Sequence, residues 1–110
     1  MNDKQTLIYE VLDIVIRYCE TNVDDKSNLT REDILGPSRC ENIIMTRCLF
    51  ATQMVFMGFS RTTIAKMLHR TEKAVGNMLQ QAHQFRIQSY AYRLAEAEST
   101  ILLKEVIAKL

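Results

Sequence analysis

Residues 60–81, SRTTIAKMLHRTEKAVGNMLQQ, hold the side chains of this chain best suited to chemistry. Arg61, Lys66, Arg70 and Lys73 supply cations, and Thr62 and Thr71 supply hydroxyls. Asn77 and Gln80 supply amides, which donate and accept at once. Such a set recognises charge and hydrogen-bonding edges; it does not make or break bonds. The bond-making alternatives lack their parts. No Ser, His and Asp constellation is suggested, and the two His and three Cys show no metal-ligand spacing. The three isolated glycines make no phosphate loop. The chain is therefore expected not to be an enzyme, with no catalytic residue, no metal and no cofactor.

The same segment predicts the elements that position these groups. A helix-turn-helix needs two short helices packed steeply across a tight turn. Ala65 is the small residue that permits close approach, and Val75, ten residues on, meets it from the second helix. Ile64 and Leu68 dock the first helix; Val75, Met78 and Leu79 dock the second. Ser60 and Thr71 are N-caps that bracket the unit, with Glu72 in a first turn where the dipole favours an acid. The unit spans about residues 60–84. If Val75, Met78 and Leu79 face inward, then Thr71, Lys73, Gly76, Asn77 and Gln80 face outward. In a DNA-binding unit this second helix lies in the major groove. Thr71, Lys73, Asn77 and Gln80 are then base-facing: Lys73 suits guanine, and Asn77 and Gln80 suit adenine. Arg61, Thr62, Lys66 and Arg70 are expected on the phosphate backbone, where they position without specifying. Gly76 costs up to about 1 kcal/mol in a helix interior relative to Ala, a cost tolerable where a backbone must be approached closely. Arg86 and Arg93 read as solvated bases, His69 as filler of the turn, and His83 as a partly buried or surface residue.

The rest of the chain reads as helix. From Ile8, the positions Val11, Leu12, Val15, Ile16 and Cys19 follow the amphipathic rule, fading at Thr21-Asn22. A polar connection covers 23–29. Thr30 caps a short turn with Asp33 completing an acidic capping box, and Gly36-Pro37 ends it. Ser38 is the expected cap of the next helix. That helix, apolar on most sides from Ile43 to Met57, is the expected centre of a bundle and stops at Gly58. Beyond the helix-turn-helix, whose second helix reaches about Phe85 or beyond, a last helix covers roughly 89–108. Leu103, Val106, Ile107 and Leu110 form its stripe. Met45, Met54, Met57, Met67 and Met78 read as core filler. No segment alternates convincingly, so no sheet is predicted. The expected fold is all-α: a single domain, 1–110, of five to six helices.

Composition sets outer limits. With 110 residues, 47% of them hydrophobic, the chain is too apolar for disorder. The richest stretch, 43–59, is broken by Thr46, Arg47, Thr52 and Gln53, so no membrane span is expected. The N-terminus does not read as a signal peptide, its apolar residues being broken by Glu10, Asp13 and Arg17. An odd count of Cys (19, 40 and 48) with no C-x-x-C pair argues for a reducing cytoplasm. The net charge of +1 conceals segregation. Residues 1–35 hold four bases and eight acids, about −4; residues 60–95 hold six bases and one acid, about +5. Such asymmetry points to an anionic partner, with the acidic first helix expected on the far side.

Taken together, these residues resemble the C-terminal DNA-binding domain of the bacterial replication initiator DnaA. The likeness runs from about Leu7 to the C-terminus. It comprises a first helix (LIYEVLDIVIRYCE), a short turn (LTREDILG), an Arg-bearing lead-in (PSRCENIIMTR), a long central helix, the helix-turn-helix (FSRTTIAKMLHRTEKAV) and a closing helix. The resemblance implies an all-α domain of the Trp-repressor-like class. It also implies a lead-in Arg that reaches the minor groove, and Arg39 is the candidate for that backbone-side role. The family's Arg-Asp-His-Thr-Thr signature is replaced here by Arg70-Thr71-Glu72-Lys73-Ala74, so the family's own target sequence is not implied. The nucleotide-binding domain is absent from this sequence. The expected function is duplex DNA binding by a transcriptional regulator, or by an accessory factor in replication or of a mobile element. A homodimer or a protein partner would enlarge the small interface of one module. The competing expectation is a helical protein–protein adaptor using Met54, Phe56, Met57 and Phe59.

Overall fold

A computed structural model describes residues 3–22, 29–37 and 40–109. Every regular element among them is an α-helix: α1 (Asp3–Asn22), α2 (Arg31–Leu35), α3 (Glu41–Phe56), α4 (Arg61–Leu68), α5 (Glu72–Gln88) and α6 (Tyr90–Ala108). The boundaries follow from local chemistry. Thr30 and Asp33 form a reciprocal capping box at α2, each side chain bonding the other's backbone N–H. Ser60 Oγ accepts from the Thr63 N–H at 3.2 Å, and Thr71 Oγ1 from the Ala74 N–H at 3.0 Å. Ser89 caps α6 in the same way through the Tyr92 N–H. Gly58, at φ 95°, supplies the left-handed residue just past α3. The expected cap at Ser38 gives way to Cys40, which makes no side-chain cap bond; Ser38 itself lies outside the described residues, as does the connection 23–28.

Helix α3 is the hub. Met45, Cys48, Leu49, Phe50, Ala51 and Met54 are all buried on it, and they cover most of its circumference. It touches α1, α2, α4, α5 and α6. The apolar stripe of α1 (Val11, Leu12, Val15, Ile16, Cys19) is buried as its spacing predicts, packed on α3 and α6. One core takes residues from all six helices.

Two differences from the expected pattern concern α6. Leu103 of the expected stripe is buried and Val106 packs against the core, but the buried face also runs back through Ser99, Ala95 and Tyr92, and Ile107 is exposed; Leu110 lies outside the described residues. The reason is a polar seam that apolar periodicity does not register. Gln53 of α3 is 1% exposed and donates through Nε2 to Ser99 Oγ at 2.8 Å and Thr100 Oγ1 at 2.9 Å. These bonds satisfy the amide's donors away from water and let a polar side chain occupy the α3–α6 interface. Leu29, read as part of a polar connection, is also buried.

Candidate nucleic-acid interface

Helices α4 and α5 are joined by His69, Arg70 and Thr71 alone. The chain turns at His69, which adopts the left-handed conformation (φ 56°, ψ 44°). Its N–H bonds the Lys66 carbonyl and the Arg70 N–H bonds the Ala65 carbonyl, the paired pattern of a Schellman stop. Ala65 is 6% exposed, and Ile64, Leu68 and Val75 are fully buried. Met78 and Leu79 pack against the core, partly buried. The inward faces of both helices are therefore those that the spacing predicts.

Across the outer face of α5 runs an open groove of about 970 Å³. Lys73, Gly76, Asn77, Gln80 and Gln84 line it from α5, and Arg61 lines it from the start of α4. Thr71, Lys73, Asn77 and Gln80 are all exposed. No carboxylate is among the lining residues. The nearest acid in sequence, Glu72, accepts a hydrogen bond from Thr62 Oγ1 at 2.8 Å, which ties the first turns of α4 and α5 together. Cations in a groove whose lining holds no carboxylate, beside two-way amides, form a surface complementary to an anion that also displays donors and acceptors.

The expected backbone-side residues do not all fall together. Arg61 lies in the groove. Lys66 is exposed on α4 outside the groove's lining, and Thr62 is exposed with its hydroxyl engaged by Glu72. Arg70 turns the other way: it donates to the Leu68 carbonyl at 2.9 Å and the Gly36 carbonyl at 2.7 Å, half-buried between the turn and α2. There it lines a smaller cavity, about 390 Å³, with Arg47, Cys48 and Gln81. Arg47, 6% exposed, donates to the Ile34 and Gly36 carbonyls and so closes the C-terminus of α2. Burial, and then the neighbouring Arg70 charge, hold its pKa below the ordinary value. Arg39 lies outside the described residues.

Arg86 and Arg93 do not read as freely solvated bases. Arg86 grips Glu96 with both ends of its guanidinium at 2.8 and 2.9 Å, joining α5 to α6. Arg93 donates to the Arg86 and Ile87 carbonyls at the end of α5, where the dipole favours a cation. Three groove residues escaped the sequence reading. Gln81 and Gln84 fell outside the expected N-terminal readout positions, and exposed His83 was treated in isolation. Their signal was the continuation of the 73, 76/77, 80 stripe to 83/84, the period of a helix face.

The surface expected for an adaptor is mostly core. Met54 is fully buried, and Met57 and Phe59 pack against the core, leaving Phe56 exposed beside Val55. Among the described residues no three His, Cys, Asp or Glu side chains converge to hold a metal. No helix there is long and apolar enough to cross a membrane. The chain matches no family model, no curated protein and no solved structure.

Proposed function

We propose that the chain binds duplex DNA through a helix-turn-helix formed by α4 and α5. The observation that carries the reading is the carboxylate-free groove along the exposed face of α5, where Arg61, Lys73, Asn77 and Gln80 converge. Helix α5 is the recognition helix, laid in the major groove with its first turns at base edges. Thr71, Lys73, Asn77 and Gln80 face bases, and Lys66 and Thr62 face the phosphate backbone. The order of elements, from a long first helix through a buried central helix to α4–α5 and a closing helix, supports the resemblance to the DnaA DNA-binding domain. The mechanism is occupancy of a site by a regulator, or by an accessory factor in replication or of a mobile element.

Fluorescence anisotropy of labelled duplex at several salt concentrations tests the reading. Each phosphate neutralised by a Lys or Arg steepens the fall of log K against log salt by about 0.9, so binding is expected to weaken measurably as salt rises. Absence of binding even at low salt rejects it. An adaptor would instead rest on exposed Val55 and Phe56, and its partner affinity would fall in a Phe56→Ser variant that leaves DNA binding intact.

A further inference from the structure

Arg61 is the first residue of α4, yet its guanidinium lies against α5. A Cβ on Gly76 would stand 3.4 Å from Arg61 Nη1 and 3.9 Å from its Cζ. Gly76 is the one glycine of α5, so this is the single position on that helix where no side chain separates an approaching guanidinium from the backbone. Lys73 and Asn77 line the groove on either side of it. The root of Arg61 is fixed as well. Ser60 caps the turn it begins, and the adjacent Thr62 is bonded to Glu72. Glu72 accepts that bond through Oε1, and Arg61 forms no ion pair among the described residues.

Resting on the DNA reading of the groove, we infer that Arg61 is a sequence-reading residue that recognises a guanine, rather than a phosphate contact. Its place is that of a base-edge donor, because its guanidinium lies over Gly76 and shares one groove with Lys73 and Asn77, the residues proposed to meet the bases. Its chemistry agrees. The rigid guanidinium fork matches the O6 and N7 acceptors of guanine, while the flanking amide of Asn77 matches adenine. Gly76 acts as the seat that lets a residue from α4 join the reading surface of α5.

Arg61→Ala and Arg61→Lys together separate the two roles, because Ala removes every donor and Lys keeps the charge but loses the fork. Wild-type protein first selects duplexes from a pool with randomised centres. Binding of the best duplex is then compared with versions carrying single base-pair replacements. At one G·C position, wild type discriminates by roughly 5- to 150-fold; Arg61→Ala abolishes that discrimination and Arg61→Lys weakens it, while both keep the preferences elsewhere. Lys66→Ala, the control, weakens all duplexes alike. If Arg61→Lys retains every preference and Arg61→Ala loses affinity uniformly, Arg61 holds a phosphate and the inference falls while DNA binding stands. If wild type selects nothing and binds no duplex at low salt, both fall together. Arg61 is exposed, and a thermal melt of each variant confirms that the fold survives.

Discussion

Tyr92 shows how a single atom can be out of balance in an otherwise satisfied core. Its ring is fully buried, stacked near Phe85 at 5.8 Å between centroids, and its hydroxyl has no hydrogen-bond partner. Thr52, whose hydroxyl donates to the Cys48 carbonyl at 3.0 Å, is the nearest candidate acceptor, but no hydrogen bond to the phenol is formed. Burial drives the phenol pKa upward, since an ionised oxygen there would be stripped of water. An unpaired buried hydroxyl costs stability that its removal restores. Tyr92→Phe is therefore expected to stabilise the fold by roughly 1 kcal/mol, read as a higher denaturant midpoint with an unchanged slope. A loss of stability would mean that the hydroxyl has a partner after all. His69 is a second local cost. It holds a left-handed conformation that strains any side chain, though His tolerates it better than most residues.

At the scale of elements, the α4–α5 unit depends on its caps. The expected recognition residues project from the first turns of α5, and those turns are anchored by the Thr71 hydroxyl on the Ala74 N–H. Thr71→Ala is expected to cost about 1 kcal/mol of stability, seen in thermal melts. Its effect on DNA affinity should exceed that of a matched stability loss made at Ser89, which caps α6. Equal effects at the two caps would show that α5 is held by packing alone. The caps at Ser60, Thr71 and Thr30 were legible because a cap is a local event: one oxygen, three residues, one orphan N–H. The cap at Ser38 was misread because the chain entering α3 begins its helix later, at Glu41. The Ser99 part of the docked face of α6 does not follow from apolar spacing, because Gln53, Ser99 and Thr100 bury polar atoms by pairing them across 46 and 47 positions of sequence. No pattern of apolar spacing within one helix contains that information.

At the scale of the molecule, charge is segregated in space as well as in sequence. Helix α1 touches α2, α3 and α6, and among the described residues it makes no packing contact with α4 or α5. Glu10 and Asp13 thus stand on a helix that does not touch the α4–α5 unit. Part of the basic block is engaged within the fold: Arg86 is paired with Glu96, one residue beyond the block, and Arg70 and Arg93, still charged, are held on carbonyls. A second global property is the burial of two thiols. Burial raises Cys19 from 9.0 to about 11 and Cys48 to about 12. The unfolded chain releases these protons first as pH rises past 9.0, whereas the folded chain keeps them. Their contribution is therefore fully present below pH 9.0 and is lost as pH climbs toward about 11 and 12. Denaturation followed across that range is expected to show stability falling by about 1.4 kcal/mol per pH unit for each thiol. A flat profile would contradict the burial of both sulfurs.

What the amino-acid sequence determined on its own is whatever depends on neighbours a few residues apart. That covers the helices, their caps, the inward stripe of α1, the docking faces of α4 and α5, and the outward set Thr71, Lys73, Asn77 and Gln80. Periodicity and capping act over one or two helical turns, and those distances are written directly in the chain. Only the tertiary structure decided which charges remain available. Arg61, Arg70, Arg86 and Arg93 are equivalent as letters. The fold sends Arg61 over Gly76, Arg70 to the Gly36 carbonyl, Arg86 to Glu96 and Arg93 to the end of α5. A long flexible cation goes to the nearest oxygen that folding brings within reach, and that oxygen's position is a property of packing between helices, not of any one of them.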